Sequence, residues 1–105
     1  MDKAEATKLL RRMYKEIRRG EIKFTIKCSP GIAGKWEPNP SVPTVEYEIE
    51  LNPREDILPT LIHEMLHHLF PEKRHSWIDK TEKQMVELLS DRQMKNLCKS
   101  LGDVI

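Results

Sequence analysis

An α+β domain is the fold class this sequence predicts, and three observations carry it. Apolar residues recur at helical spacing near the N-terminus, between Ile57 and Phe70, and again beyond Trp77. Strict alternation of apolar and polar residues marks two strands, at 21–28 and 45–51. Between these segments stand Gly20, a proline-rich stretch, Pro71 and Gly102, with no repeat, linker or low-complexity tract. At 105 residues the chain is read as one domain, 1–105, that buries about two thirds of its unfolded surface on folding. The expected order is helix, strand, a short middle strand, strand, helix, helix.

The first helix opens on Asp2 and Glu5, a D-x-x-E pattern that caps a helix start. Ala6, Leu9, Leu10, Met13 and Ile17 form its apolar stripe, and Gly20 is a natural stop. Its opposite face is basic, with Lys8, Arg11, Arg12, Lys15, Arg18 and Arg19. A solvated face explains that pattern by default; nucleic acid is the alternative partner, a weak one without interleaved aromatic platforms.

In the first strand Ile22, Phe24, Ile26 and Cys28 are expected inward, and in the next Val45, Tyr47, Ile49 and Leu51. Lysines of the first and glutamates of the second (Glu46, Glu48, Glu50) are placed to pair across the sheet, each pair contributing a fraction of a kcal/mol. Ser29 to Thr44 holds four prolines and two glycines and reads as a long loop, with a short strand at Ala33 to Trp36. Loops of that length in small domains are often functional. Trp36 there either lines a groove or plugs the sheet, the plug being preferred.

The next helix begins at Asp56, a good N-cap, takes Pro59 in its first turn and ends at Pro71. Ser76 with Asp79 predicts a last helix from about Trp77, burying Ile78, Met85, Leu88 and Leu89. A restart at Ser90 with Gln93 and an end at Gly102 complete it.

Composition removes several function classes. Charged residues are 33% and aromatics 6%, so the core is modest and relies on Leu, Ile and Met. A net charge of +1 does not by itself call for a polyanionic partner. Cys28 and Cys98 lie seventy residues apart with no C-x-x-C motif, which rules out a zinc knuckle and predicts small core residues in a reducing compartment, a disulfide between them being the alternative. The start Met1-Asp2-Lys3-Ala4-Glu5 lacks the apolar block of a signal peptide, and no run approaches a transmembrane span. A soluble cytoplasmic protein without a membrane partner is the expectation; oligomeric state leaves no mark.

The chemistry gathers at His63-Glu64-Met65-Leu66-His67, an H-E-x-x-H pentapeptide inside the apolar run. All four histidines (His63, His67, His68, His75) fall within thirteen residues. On a helix, positions i and i+4 differ by about 40° and lie about 6 Å apart along the axis. His63 and His67 therefore project side by side, as two ligands of one zinc ion require. Glu64 lies about 100° round, where it can hold a metal-bound water and act as general base. Three fixed positions match often by chance, and two core histidines are the bland alternative. Here the buried stripe Ile62, Leu66, Leu69 leaves both histidines at its edge, and core packing does not explain the glutamate.

A catalytic zinc site needs three protein ligands. His75 leads, since the break at Pro71 lets the chain turn back; Glu82 comes second and Glu87 third. His68, about 100° round from His67, joins the Glu64 stripe and is not expected on the metal. The chemistry expected is peptide-bond hydrolysis by metal-activated water, with a peptide or protein substrate laid along a sheet edge. Arg74, Tyr47 and Trp77 are the candidate oxyanion donors. The alternative is a non-catalytic or latent zinc-binding module, with the basic helix contacting nucleic acid.

Thr60-Leu61-Ile62-His63-Glu64-Met65-Leu66-His67, preceded by a strand and by Asn52-Pro53-Arg54-Glu55, resembles the small zincins of the SprT-like, Wss-type and minigluzincin groups. His75-Ser76 with Trp77 is similar to the H-S-x-x-F/W element that supplies a third histidine in some of them. The resemblance implies a minimal zincin fold: N-terminal helix, small two- to three-stranded sheet, active-site helix and C-terminal helix. It also implies one zinc ion and metallopeptidase activity. It spans about residues 20 to 90, with specific positions only at 60 to 78. His75 lies eight residues past His67, further than in those families, and its aromatic follows the serine directly. A three-histidine endoribonuclease array fits less well, since it has glycine where Glu64 stands.

Overall fold

Local capping starts the fold. The carboxylate of Asp2 accepts the Glu5 amide at 2.8 Å, opening helix α1 (Lys3–Arg19), and Gly20 closes it at φ 76°, a left-handed conformation that suits glycine. Ala6, Leu10, Met13 and Ile17 are its buried stripe. The computed structural model describes residues 1–28, 31–38 and 46–105. They form an α+β domain of four helices on a three-stranded mixed sheet.

Strands β1 (Ile22–Ile26), β2 (Gly34–Pro38) and β3 (Tyr47–Leu51) are ordered β1-β3-β2. β3 is central, parallel to β1 and antiparallel to β2, and its Ile49 and Leu51 are wholly buried. The expected short strand at 33–36 is β2, which forms one edge of the sheet. Val45 and the remainder of the proline-rich segment, 29–30 and 39–44, lie outside the described residues. The expected charge pairing is present on the polar face, where Lys27 Nζ lies 4.0 Å from Glu50.

The inward pattern of β1 holds only in part. Ile22 and Phe24 are buried, but Ile26 is 39% exposed and Cys28 is exposed. The alternation persists to the end of β1, beyond the cover of the helical layer. Cys98 is exposed too, one residue and about 100° round from buried Leu97. Both cysteines are therefore free surface thiols rather than core residues.

Helix α2 (Ile57–Leu69) follows N-cap Asp56, although the Asp56 side chain makes no capping hydrogen bond. Leu61, Ile62, Met65 and Leu66 are all at 0% exposure, each contributing about 1.5–3 kcal/mol by leaving water. Helix α3 (His75–Leu88) starts two residues earlier than expected, and Arg74 rather than Ser76 is its N-cap. The reason lies in the backbone: the Trp77 and Ile78 amides both donate to the Arg74 carbonyl, at 3.0 and 3.1 Å. Helix α4 (Asp91–Gly102) is a true restart, opened by a full capping box between Ser90 and Gln93. Gln93 Nε2 also donates to Thr7 Oγ1 at 3.1 Å, tying α4 to α1. Among the described residues no helix is long and apolar enough to cross a membrane.

Candidate metal centre and active site

The buried stripe of α2 fixes the orientation of its polar residues. With Ile62, Met65 and Leu66 locked in the core, His63 and His67 sit at the stripe's edge, half-buried, one turn apart. Their Nε2 atoms are 3.2 Å from each other. The turn after Pro71 then delivers His75 as the first residue of α3. Its ring centroid is 4.9 Å from that of His63 and 5.5 Å from that of His67. One nitrogen from each of the three rings falls in a group spanning no more than 4.8 Å.

Carboxylates back the rings. Asp79 Oδ1 lies 3.3 Å and Glu82 Oε1 3.4 Å from His63 Nδ1, and Asp79 Oδ2 lies 3.5 Å from His75 Nε2. A carboxylate holding Nδ1–H leaves the Nε2 lone pair of His63 aimed at His67, the usual arrangement behind a metal-bound histidine. Burial lowers the His63 pKa, with Asp79 opposing and His75 assisting. Burial also lowers that of His67, reinforced by His63 and His75. Both rings are thus biased to the neutral form that ligates metal. Burial raises the Glu82 carboxyl, as does neighbouring Asp79.

Glu64 is 7% exposed, and burial alone pushes its carboxyl up to about 7. It faces a cleft of about 540 Å³ between the segment Gly31–Gly34 and helices α2 and α3, which Thr60, His63 and His75 also line. Gly34 is pressed onto this floor. A Cβ there would collide with Thr60 Cγ2 and come within 3.1 Å of Glu64 Cγ.

The donor set fits zinc. Tetrahedral Zn–N bonds of about 2.0–2.1 Å put ligand nitrogens about 3.3 Å apart, close to the His63–His67 separation. Among the described residues no buried side-chain nitrogen or oxygen lacks a partner, so the fit rests on donor chemistry and not on an orphaned atom.

The sequence candidates separate clearly. His63, His67 and His75 come together, and Glu64 lines the cleft with His63 and His75, whereas His67 does not line it. Glu82 joins a different group, with His63 and Asp79, and does not join His67. Glu87 is exposed on α3 and belongs to neither group. His68 does not pair with Glu64: its Nδ1 accepts from Trp36 Nε1 and its Nε2 faces Glu16 Oε2, both at 3.1 Å. Trp36 accordingly packs on the core and stacks on Tyr47 rather than lining the cleft. Neither Arg74, Tyr47 nor Trp77, the oxyanion-donor candidates, lines it either. Asp79 was hidden in the sequence behind a supposed helix cap; its i+4 spacing from His75 was the available signal. Gly34 and Thr60 had none.

Compared with family models, curated proteins and solved structures, the chain finds no match.

Proposed function

We propose that this protein is a small zinc-dependent metallopeptidase of the zincin type. The observation that carries the proposal is a buried carboxyl, Glu64, sharing a cleft with His63 and His75, in a site where one nitrogen from each of His63, His67 and His75 lies within 4.8 Å of the others. His63, His67 and His75 would hold one zinc ion, with Asp79 and Glu82 orienting two of the rings. A bound zinc ion supplies Lewis acidity, lowering the pKa of water towards about 7 and polarising a carbonyl. Glu64 takes a proton from the attacking water as the new C–O bond forms. It then passes that proton to the amine as the C–N bond breaks. Burial raises the proton affinity of Glu64, which favours its holding the proton between the two steps. The cleft wall Gly31–Gly34 runs into edge strand β2, along which an extended peptide can lie. Exposed, unpaired Cys28 and Cys98 support a reducing compartment, the cytoplasm.

Zinc content of purified protein, measured for His63→Ala, His75→Ala and Glu82→Ala in parallel, tests the ligand set. The first two lose the metal and the third largely retains it. Wild-type protein that takes up no zinc, or a Glu64→Gln variant that cleaves peptides at the wild-type rate, overturns the assignment.

A second proposal, a non-catalytic zinc module that binds nucleic acid, is favoured by one observation. Lys8, Arg11, Arg12, Lys15 and Arg18 are exposed opposite the buried stripe of α1, and among the described residues none is paired with an acid. It predicts salt-dependent binding to DNA or RNA that Glu64→Gln leaves unchanged, and no hydrolysis.

A further inference from the structure

Edge strand β2 and helix α2 lie against each other in register. Two residues of a strand advance about 6.6 Å, and four residues of a helix about 6 Å. Gly34 sits against Thr60 and Glu64, and Trp36, two residues on, bonds to His68, four residues past Glu64. The two contacts differ in kind. At Gly34 the touch is van der Waals and tolerates sliding. At Trp36 it is directional, and among the described residues it is the one side-chain hydrogen bond between β2 and α2.

The chemistry of that bond sets its polarity. An indole N–H can only donate, so His68 Nδ1 is the acceptor and the ring proton sits on Nε2. Nε2–H then donates to Glu16 of α1 at 3.1 Å, and Glu16 accepts from Arg19 at 3.1 Å. The His68 side chain is 7% exposed, and Tyr47 of β3 packs edge-on against its ring at 4.6 Å. Sheet, active-site helix and N-terminal helix thus meet at one imidazole whose two nitrogens are both used.

We propose that Trp36, His68 and Glu16 form a positioning clamp. It fixes β2 along α2 and so holds the Gly31–Gly34 wall at the spacing an extended peptide needs from Glu64 and His75. The clamp rests on the peptidase assignment for its purpose, but its mechanics are independent of metal. It touches no reacting atom; the three are positioning residues.

The test compares His68→Leu, His68→Gln and Trp36→Phe. Leucine fills the site without bonding. Glutamine restores both bonds, its amide oxygen accepting from Trp36 and its amide nitrogen donating to Glu16. Phenylalanine removes the N–H and leaves His68 intact, so it serves if His68→Leu fails to fold. In ¹⁵N-labelled, metal-free protein only two indole signals exist, from Trp36 and Trp77, and Trp77→Phe assigns them. The Trp36 indole proton is expected to be exchange-protected in wild type and in His68→Gln, and to lose protection in His68→Leu. Backbone amides of β2 exchange about three- to tenfold faster in His68→Leu and Trp36→Phe, the value of one buried hydrogen bond, while those of Leu61 to Leu66 do not change. In the zinc-loaded protein the same two variants raise KM for an extended peptide by a similar factor, with kcat largely kept, and His68→Gln restores KM.

Unchanged β2 exchange in both His68→Leu and Trp36→Phe overturns the clamp, as does faster exchange with no change in KM, or a His68→Gln variant as impaired as His68→Leu. Wild-type protein that binds zinc and cleaves nothing overturns the peptidase assignment instead, and the clamp is then judged on exchange alone.

Discussion

His67 and His68 are neighbours in sequence and opposites in structure. The Nε2 of His67 faces the Nε2 of His63 at 3.2 Å, with His75 alongside. His68, about 100° round the same helix, gives one nitrogen to Trp36 and the other to Glu16. One face of α2 gathers imidazoles whose nitrogens point at each other, and the other spends its imidazole on the fold. Residue type does not separate a candidate ligand from a structural histidine; the partners at both ring nitrogens do.

The largest effect expected on the first face is that of Glu64→Gln. It should lower peptide hydrolysis by about 10²–10⁴-fold, the range for a lost general acid–base, with zinc content intact by metal analysis. An active variant would reduce Glu64 to a bystander and make the two faces alike. Next comes Asp79, the carboxylate that reaches two of the rings: Asp79→Ala should weaken zinc binding by about 10–100-fold in a chelator competition. On the second face, His68→Leu should leave zinc affinity unchanged in the same titration. A loss there would erase the contrast.

Proton linkage sharpens the comparison further. Glu64 has a folded pKa of about 7, above its ordinary 4.5, so the folded state binds its proton more tightly than the unfolded state does. Its neutral form stabilises the fold relative to the ionised one. That advantage is full below about pH 4.5 and is lost as pH rises through about 7, amounting to at most about 3 kcal/mol. The lowered pKa values of His63 and His67 act in the opposite sense over the same window. Urea unfolding of metal-free wild type and Glu64→Gln, each at pH 5 and pH 8, should therefore isolate the loss as the difference between the two proteins. Glu16 has the opposite sign. Burial raises its pKa, but hydrogen bonds from His68 and Arg19 outweigh that and leave it lowered. Its contribution is present above the ordinary carboxylate range and lost as pH falls through the depressed value. Glu16→Gln should therefore narrow the stability difference on acidification by less than about 1 kcal/mol, the smallest of these effects.

His63, Glu64 and His67 were legible in the sequence because one helix fixes their relative directions by covalent geometry. Pro71 made His75 a reasonable third partner, and the turn that follows it does bring the chain back. The sheet was legible through alternation, which says what each strand could bury but not how far the covering layer extends, and Cys28 and Ile26 lie beyond that cover. The separation of α3 from α4 was written in Ser90 and Gln93, whereas the start of α3 was decided by backbone bonds to Arg74 that Ser76 could not reveal. The Trp36–His68–Glu16 chain joins residues from three distant segments. No local pattern encodes it, and helical spacing alone places His68 with Glu64 rather than with Trp36 and Glu16.

Gly34 gives the cleft a fixed depth. Because backbone alone separates the edge strand from the Thr60–Glu64 turn of α2, the layers there are already at their closest approach. Replacing that hydrogen by a methyl group must displace either the Thr60 side chain or the strand. A strand that lifted would admit water to the Glu64 carboxyl and relieve the burial that raises its pKa. The proton affinity of Glu64 is in that sense set by an atom that is missing.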